Sequence, residues 1–136
     1  MSELIEVIRK PDIVVSDVDH WRLSNLAVAA RHRFPDMAEE LQAEMVRASI
    51  ADAGTIPSDV VTMGSVVEFR KGDDEHRRIE LVFPIDADIA KGRVSILTPI
   101  GAALIGLSVG QSISLLARDG RAQELTVLTV EQPADL

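Results

Sequence analysis

The chain has 136 residues, 46% of them hydrophobic, which is enough for one ordinary domain or for a small domain with a helical extension. It contains no cysteine, and this excludes disulfides, thiolate zinc sites and cysteine nucleophiles. The formal net charge is −8 and no basic stripe that would neutralise phosphates is visible, so we expect no direct binding to duplex DNA.

The first ten residues predict neither a signal peptide nor a membrane-spanning segment. They include Glu3 and Glu6, and they contain no long apolar run. Together with the absence of cysteine, these residues favour a cytoplasmic protein that does not associate with membranes.

A helical pattern extends from about residue 17 to residue 53. Residues 16–19 (Ser-Asp-Val-Asp) have the form of a capping box, in which Ser16 accepts a hydrogen bond from the free amide of Asp19. Because a proline disfavours helical geometry at the residue before it, the first helix is expected to end at Phe34. Its apolar positions recur at steps of four and three, at Leu23, Ala27, Ala30 and Phe34.

Pro35 predicts the start of a second helix, since proline suits the first helical turn. The apolar stripe of this helix is Met37, Leu41, Met45 and Ala48. With almost no loop between them, the two helices are expected to fold back as an antiparallel hairpin. Charge favours this pairing, because residues 20–33 hold three arginines and no acid, whereas residues 35–59 hold six acids and one arginine.

After residue 57 the pattern changes to period two with β-branched runs, which predicts strands. The expected strands are 65–70, 78–83, 94–97, 111–116 and 124–130, with turns at 71–75 and 118–121, where Asp-Gly favours positive φ. Residues 99–106 are long enough for two helical turns. The predicted fold is α+β. A leader and a short antiparallel helical hairpin, or coiled coil, cover residues 1–56, and an antiparallel β domain with one short helix covers residues 57–136.

No pattern in the sequence predicts catalytic chemistry, a metal site or a cofactor. Residues 101–108 imitate a phosphate-binding loop, but Leu107 stands where such a loop needs lysine, so a buried helical turn is expected instead. His20, His32 and His76 have no metal-type spacing. The serines have no nucleophile elbow and no partnered histidine, so hydrolase chemistry has no support either.

Three acids lie at the bend between the two helices, Asp36, Glu39 and Glu40. Paired carboxylates at the end of a projecting hairpin can hold a divalent cation if a partner supplies the remaining ligands. Acids in the first turn of a helix also stabilise its positive end. We favour this second interpretation.

Four blocks of the C-terminal part resemble the C-terminal domain of the bacterial Gre transcript-cleavage factors. They are residues 60–67, 86–88, 94–106 and 107–111, and the first three resemble the family blocks V-x-x-G-S-x-V, E-A-D and a segment containing S-P and L-I-G. The resemblance covers about residues 59–132, in order and with similar gaps. Within the superfamily, the short helical part and residues 59–63 are most similar to the regulators of nucleoside diphosphate kinase.

The resemblance implies an FKBP-like β domain that binds bacterial RNA polymerase at the rim of its secondary channel. Asp86 and Asp88 match the E-A-D block, and they would form the polymerase-binding patch together with three residues of the S-P segment, Thr98, Pro99 and Ile100. Where Gre factors often carry basic residues, this chain has Ala102 and Leu107, so the resemblance implies a less charged docking surface. Asp36 with Glu39 or Glu40 corresponds only loosely to the acidic tip with which Gre factors position a metal.

The length of the hairpin bears on whether the protein can stimulate transcript cleavage as Gre factors do. A helix rises about 1.5 Å per residue, so residues 17–34 extend roughly 25 Å, and a cleavage factor needs an appreciably longer arm to reach the polymerase active centre. We therefore expect a polymerase-binding modulator that competes with Gre factors without stimulating transcript cleavage, and that is not an enzyme itself.

Other functions are left open by the sequence. One is a Gre-type elongation factor that promotes transcript cleavage, and another is a direct regulator of nucleoside diphosphate kinase. A prolyl isomerase is disfavoured, since the β domain offers only Phe69 and Phe83 as aromatic rings for a proline pocket. A further alternative is a self-associating interaction module with no polymerase role, in which the hairpin pairs with a second copy by burying Leu23, Phe34, Leu41 and Met45. The oligomeric state is also open.

Overall fold

The computed structural model describes residues 10–72, 75–116 and 120–133. In chain order these residues form a short strand, two helices, a second short strand, and then a five-stranded sheet with one short helix. The predicted α+β fold class, a helical hairpin followed by a β domain with one short helix, is confirmed. Residues 1–9, on which the signal-peptide expectation largely rests, lie outside the described residues.

The first helix, α1, comprises Asp17–Ala29 and begins where the capping pattern predicts. The Ser16 Oγ accepts a hydrogen bond from the amide of Asp19 at 3.0 Å. The helix ends five residues before the expected Phe34, because the chain must reverse direction before Pro35 and residues 30–33 are used for that turn. The amide of Phe34 closes the turn on the carbonyl of Ala30 at 2.8 Å.

The second helix, α2, comprises Pro35–Arg47 and starts at the predicted proline. The ring Nε2 of His20, in the first turns of α1, lies 3.0 Å from the carbonyl oxygen of Met45, near the end of α2. The start of one helix therefore lies beside the end of the other, which confirms the antiparallel hairpin.

Two short strands at the base of the hairpin are absent from the sequence prediction. They are β1, Val14–Ser16, and β2, Ser49–Ala51, which pair in parallel with Val14 opposite Ser49. The sequence pattern predicts helix as far as residue 53, whereas α2 ends at Arg47, so the predicted end is wrong by six residues. Three-residue strands are too short to show an alternating pattern, and only the folded hairpin brings them side by side.

The five-stranded sheet has the order β5-β4-β3-β7-β6. Its strands are β3, Val66–Lys71; β4, Glu75–Val82; β5, Arg93–Ser95; β6, Ser112–Leu116; and β7, Ala122–Glu131. In the predicted turns, positions 73, 74, 118 and 119 lie outside the described residues. Gly72 and Gly120 have the positive φ that the turns require, +67° and +85°.

The sheet is mixed, which corrects the expectation of a purely antiparallel one. Strands β4 and β5 are parallel, with Glu80 opposite Arg93, whereas the other three pairs of neighbours are antiparallel. Strand β4 is not followed by a tight hairpin turn. Residues 83–92 lead the chain back to a position opposite Glu80, where β5 begins and runs parallel to β4.

The hairpin and the sheet contribute to one hydrophobic core. Leu23, Leu41 and Met45 of the hairpin belong to the same buried cluster as Phe69 and Leu125 of the sheet. The short helix α3, Pro99–Leu104, contacts α2, and its residues 101–104 are buried. The phosphate-loop-like segment is therefore a buried helical turn, as predicted. No helix of the described residues is long and apolar enough to span a membrane.

Candidate functional site

The residues assigned to polymerase binding lie on two segments beside the edge strand β5. The first, residues 84–91, crosses from β4 to β5 as two 3-10 turns, Pro84–Asp86 and Ile89–Lys91. The second, residues 98–100, follows β5 and begins α3. We call residues 84–91 and 98–100 the β5-side surface. The fold places both groups of assigned residues there because each adjoins one end of the same short strand.

The two aspartates of the β5-side surface have different surroundings. Asp86 is exposed in the first 3-10 turn. Asp88 is half-buried, and its Oδ1 accepts a hydrogen bond from the amide of Ala90 at 3.1 Å. The backbone of Asp88 also forms two hydrogen bonds with Arg93, at 3.0 and 2.9 Å. Asp88 therefore shapes the segment, while the carboxylate of Asp86 is the one presented to solvent.

The three residues around the start of α3 also differ in exposure and in hydrogen bonding. The Thr98 hydroxyl accepts a hydrogen bond from the amide of Gly101 at 3.1 Å and donates one to the carbonyl of Ser95 at 2.7 Å. Ile100 is half-buried and packs against the core. Pro99 is exposed. Thr98 and Ile100 thus hold α3 in place, and Pro99 is the most accessible of the three.

Two exposed isoleucines on the β5-side surface were missed by the sequence interpretation. Ile85 is 91% exposed and Ile89 is 81% exposed, and they flank Asp86 and Asp88 along the chain. Their signal in the sequence is an isoleucine pair four residues apart in a segment rich in acids and proline. Neither residue belongs to the segment that resembles the E-A-D block, because Ile85 precedes residues 86–88 and Ile89 follows them.

The hairpin tip carries charges of both signs. Asp36, Glu39 and Glu40 are all exposed, as are the three residues of the preceding turn, Arg31, His32 and Arg33. A shallow depression of about 310 Å³ is lined by Arg31, Pro35, Asp36, Glu39 and Gln42. Within the described ranges, no group of three or more histidine, aspartate or glutamate side chains is placed to hold a metal ion.

A buried carboxylate joins the hairpin to the β domain. Asp19 is only 6% exposed; its Oδ2 accepts a hydrogen bond from the amide of Met63 at 3.2 Å, and its Oδ1 accepts one from Arg22 at 2.6 Å. The Arg22 guanidinium lies over the ring of Phe83, 4.8 Å from its centroid. The sequence assigned Asp19 only to the capping box, because its partner at position 63 is distant along the chain.

Asp19→Ala is expected to lower the free energy of unfolding by about 2 kcal/mol, since the buried amide of Met63 loses its acceptor and Arg22 loses its partner. The matched control is Asp17→Ala, which removes an exposed acid from the same helical turn and is expected to cost under about 1 kcal/mol. Urea unfolding of the two variants measures the difference. Equal losses would contradict a joining role for Asp19.

A second buried carboxylate holds the segment that precedes β1. Glu44 is 4% exposed and accepts hydrogen bonds from Arg47 at 2.9 and 3.1 Å and from Lys10 at 3.3 Å. Arg47 also donates to the carbonyl of Pro11 at 2.6 Å. These contacts fasten residues 10 and 11 to α2, and so they help to close the base of the hairpin.

Comparisons with known proteins find matches over both parts of the chain. The family model described as transcription elongation factor, GreA/GreB, C-terminal, matches residues 56–132, and the model described as Rnk N-terminus matches residues 11–50. The chain is 37% identical over 123 residues to the regulator of nucleoside diphosphate kinase of Escherichia coli K12, an alignment that covers 90% of each protein. It is 36% identical over 108 residues to transcription elongation factor GreA of Rhodospirillum rubrum, covering 75% of this chain and 69% of that one.

One solved structure is similar over nearly its whole length. The prokaryotic transcription elongation factor GreA/GreB from Nitrosomonas europaea superposes with a TM-score of 0.70 at 35% sequence identity, covering 88% of this chain and 99% of that chain.

Proposed function

The chain belongs to the GreA/GreB family of transcription elongation factors and has an Rnk-type N-terminus, and we propose that it binds bacterial RNA polymerase at the rim of the secondary channel through the β5-side surface. There it competes with Gre factors and does not stimulate transcript cleavage. It is a transcription modulator and not an enzyme, it requires no cofactor, and it acts in the cytoplasm without binding duplex DNA. The proposed division is a docking domain over residues 57–136, preceded by a leader and the hairpin over residues 1–56.

The observation that carries this proposal is the short reach of the hairpin. Helices α1 and α2 have 13 residues each, which at about 1.5 Å per residue gives roughly 20 Å. Part of that length does not project, because Leu23, Leu41 and Met45 are buried in the core shared with the sheet. Asp36, Glu39 and Glu40 at the tip therefore stop short of the catalytic metal of a polymerase to which the β domain is docked.

A stalled-complex assay tests the proposal. The protein is expected to slow Gre-stimulated transcript cleavage in proportion to its concentration and to produce no cleavage alone. A variant with Asp36→Asn, Glu39→Gln and Glu40→Gln is expected to compete as well as the natural chain, because competition depends on docking and not on the tip acids. Efficient cleavage by the protein alone, lost in this variant, would instead establish a cleavage factor.

A second candidate function follows from the name of the Escherichia coli relative, a regulator of nucleoside diphosphate kinase. Direct regulation would require the chain to bind the kinase itself. Titration of the chain with purified kinase and, separately, with core polymerase distinguishes the two functions. Binding to the kinase alone would replace polymerase docking as the proposal.

The structure offers no support to the other two functions raised from the sequence. Phe69 is fully buried, and Phe83 is half-buried beneath Arg22, so neither ring is free to line an open proline pocket. Of the four residues named for self-association, Leu23, Leu41 and Met45 are buried in the chain's own core, and only Phe34, at 48%, is exposed.

A further inference from the structure

The β5-side surface presents two aliphatic side chains to solvent. Single exposed apolar residues are ordinary on a protein surface, but Ile85 and Ile89 are four residues apart on one segment and are 91% and 81% exposed. Five other isoleucines of the described residues, at positions 13, 79, 96, 105 and 113, are no more than 9% exposed. Half of the ten isoleucines in the described part of the chain are therefore buried, and Ile85 and Ile89 are the two most exposed, ahead of Ile50 at 56%.

The backbone that carries the two isoleucines is fixed by hydrogen bonds. The amide of Asp86 bonds to the carbonyl of Phe83 at 2.9 Å, that of Asp88 to Arg93 at 3.0 Å, and that of Gly92 to Ile89 at 3.0 Å. Gly92, with φ of +74°, ends the second turn. Because the segment is already ordered, little backbone entropy is lost when a partner covers it.

We propose that Ile85 and Ile89 are the apolar anchors of polymerase docking, and that they pack on an apolar patch of the polymerase bordered by lysine or arginine. The inference rests on the proposed function, and it assigns the main part of the binding energy for the polymerase to these two side chains. Asp86, next to Ile85 and exposed, is placed to meet a cation at the edge of the contact. The other charged groups of the segment are Asp88, whose carboxylate is used within the turn, and Lys91.

Charge favours this partner over a second copy of the chain. A two-fold contact through Ile85 and Ile89 would bring the same surface of both copies together. Residues 84–91 carry two acids and one lysine, so the two surfaces brought together would both be net negative, in a protein whose formal net charge is already −8. A polymerase surface with basic residues around an apolar centre has no such repulsion.

The test is a titration of core RNA polymerase with Ile85→Ser and Ile89→Ser variants. Complete burial of an exposed isoleucine corresponds to about a ten- to hundredfold change in Kd, so each variant is expected to weaken binding by at least about tenfold. The loss is expected to be the same at low and high salt, whereas the loss in Asp86→Asn should shrink as salt rises. Ile85→Leu and Ile89→Val are expected to keep nearly full affinity.

The matched control is Val46→Ser, which removes an 80% exposed aliphatic side chain from α2, outside the β5-side surface, and is expected to leave Kd unchanged. If the two serine variants bind as tightly as this control while Asp86→Arg and Pro99→Arg lose binding, the inference is wrong and the proposed docking surface stands. If the natural chain shows no affinity for the polymerase, the proposed function and the inference both fail.

Discussion

Asp86→Arg and Pro99→Arg are each expected to weaken binding to core RNA polymerase about thirtyfold or more, while the melting temperature stays within a few degrees of the natural chain's. Both side chains are exposed on the β5-side surface. An arginine at either position would be buried in the contact without a partner, and an unpaired interfacial charge costs roughly 2–5 kcal/mol. Asp86→Arg also reverses the charge that we expect to face a cation.

The fold should tolerate both changes because neither side chain holds the backbone. The turn around Asp86 is closed by backbone hydrogen bonds and by Asp88, and α3 is capped by Thr98. Replacing Pro99 with arginine adds a backbone amide in the first turn of α3, where amides have no intrahelical acceptor in any helix.

Glu124→Arg is the control for Asp86→Arg. It makes the same change in net charge at an exposed position on β7, away from β5 in the sheet. Titration by fluorescence anisotropy with labelled protein should give a Kd within about threefold of the natural chain for the control, a difference worth under 1 kcal/mol. A similar loss in the control would indicate a general electrostatic attraction, and unchanged binding in Asp86→Arg and Pro99→Arg would refute the docking surface.

Gly106→Ala is expected to produce a large loss of stability from a single methyl group. Gly106 has φ of +82°, and a Cβ there would lie 2.8 Å from the Cβ of Ile13 and 3.2 Å from the carbonyl oxygen of Val14. Its amide donates to the carbonyl of Val61, and its carbonyl accepts from the amide of Val14. Gly106 is thus the point where the base of the hairpin rests on the β domain.

Two physical terms add at this position. A left-handed conformation costs a residue with a Cβ about 1–2 kcal/mol, and overpacking of a filled core costs about 1–3 kcal/mol more. We expect Gly106→Ala to lower the free energy of unfolding by about 2–5 kcal/mol. The control is Gly110→Ala, which has φ of +90° but nothing within 4 Å of its Cβ, so that only the conformational term applies.

Urea unfolding monitored by the fluorescence of Trp21 or by circular dichroism measures both variants. The difference between them isolates the crowding against Ile13 and Val14. If the two variants lose the same stability, the hairpin base does not rest on Gly106 as the structure shows it.

The local signals of the sequence predicted the elements well. Ser16 and Pro35 mark where α1 and α2 begin, since a side-chain cap and a proline act on their own first turn. The period-two segments gave all five strands of the main sheet to within a few residues. The resemblance of the C-terminal segments to the Gre factors identified the family to which the chain belongs, and the comparisons confirm it.

The tertiary structure decided everything that depends on residues distant along the chain. The parallel pairs β1–β2 and β4–β5 require crossovers whose course no short pattern encodes. The buried contact of Asp19 with Met63, and the exposure of Ile85 and Ile89, follow from which surfaces the hairpin and the sheet cover when they pack.

The sequence by itself thus determined where α1 and α2 begin, because a side-chain cap and a proline act locally, and it determined the hydrophobic residues available for a core. Packing alone decided whether the hairpin projects freely or rests partly on the sheet. The sequence is compatible with Leu23, Leu41 and Met45 facing a second chain, but the fold buries them in the core that the hairpin shares with the sheet. Burial is a property of the whole assembly of elements, since a side chain is removed from water only by neighbours that the fold brings to it.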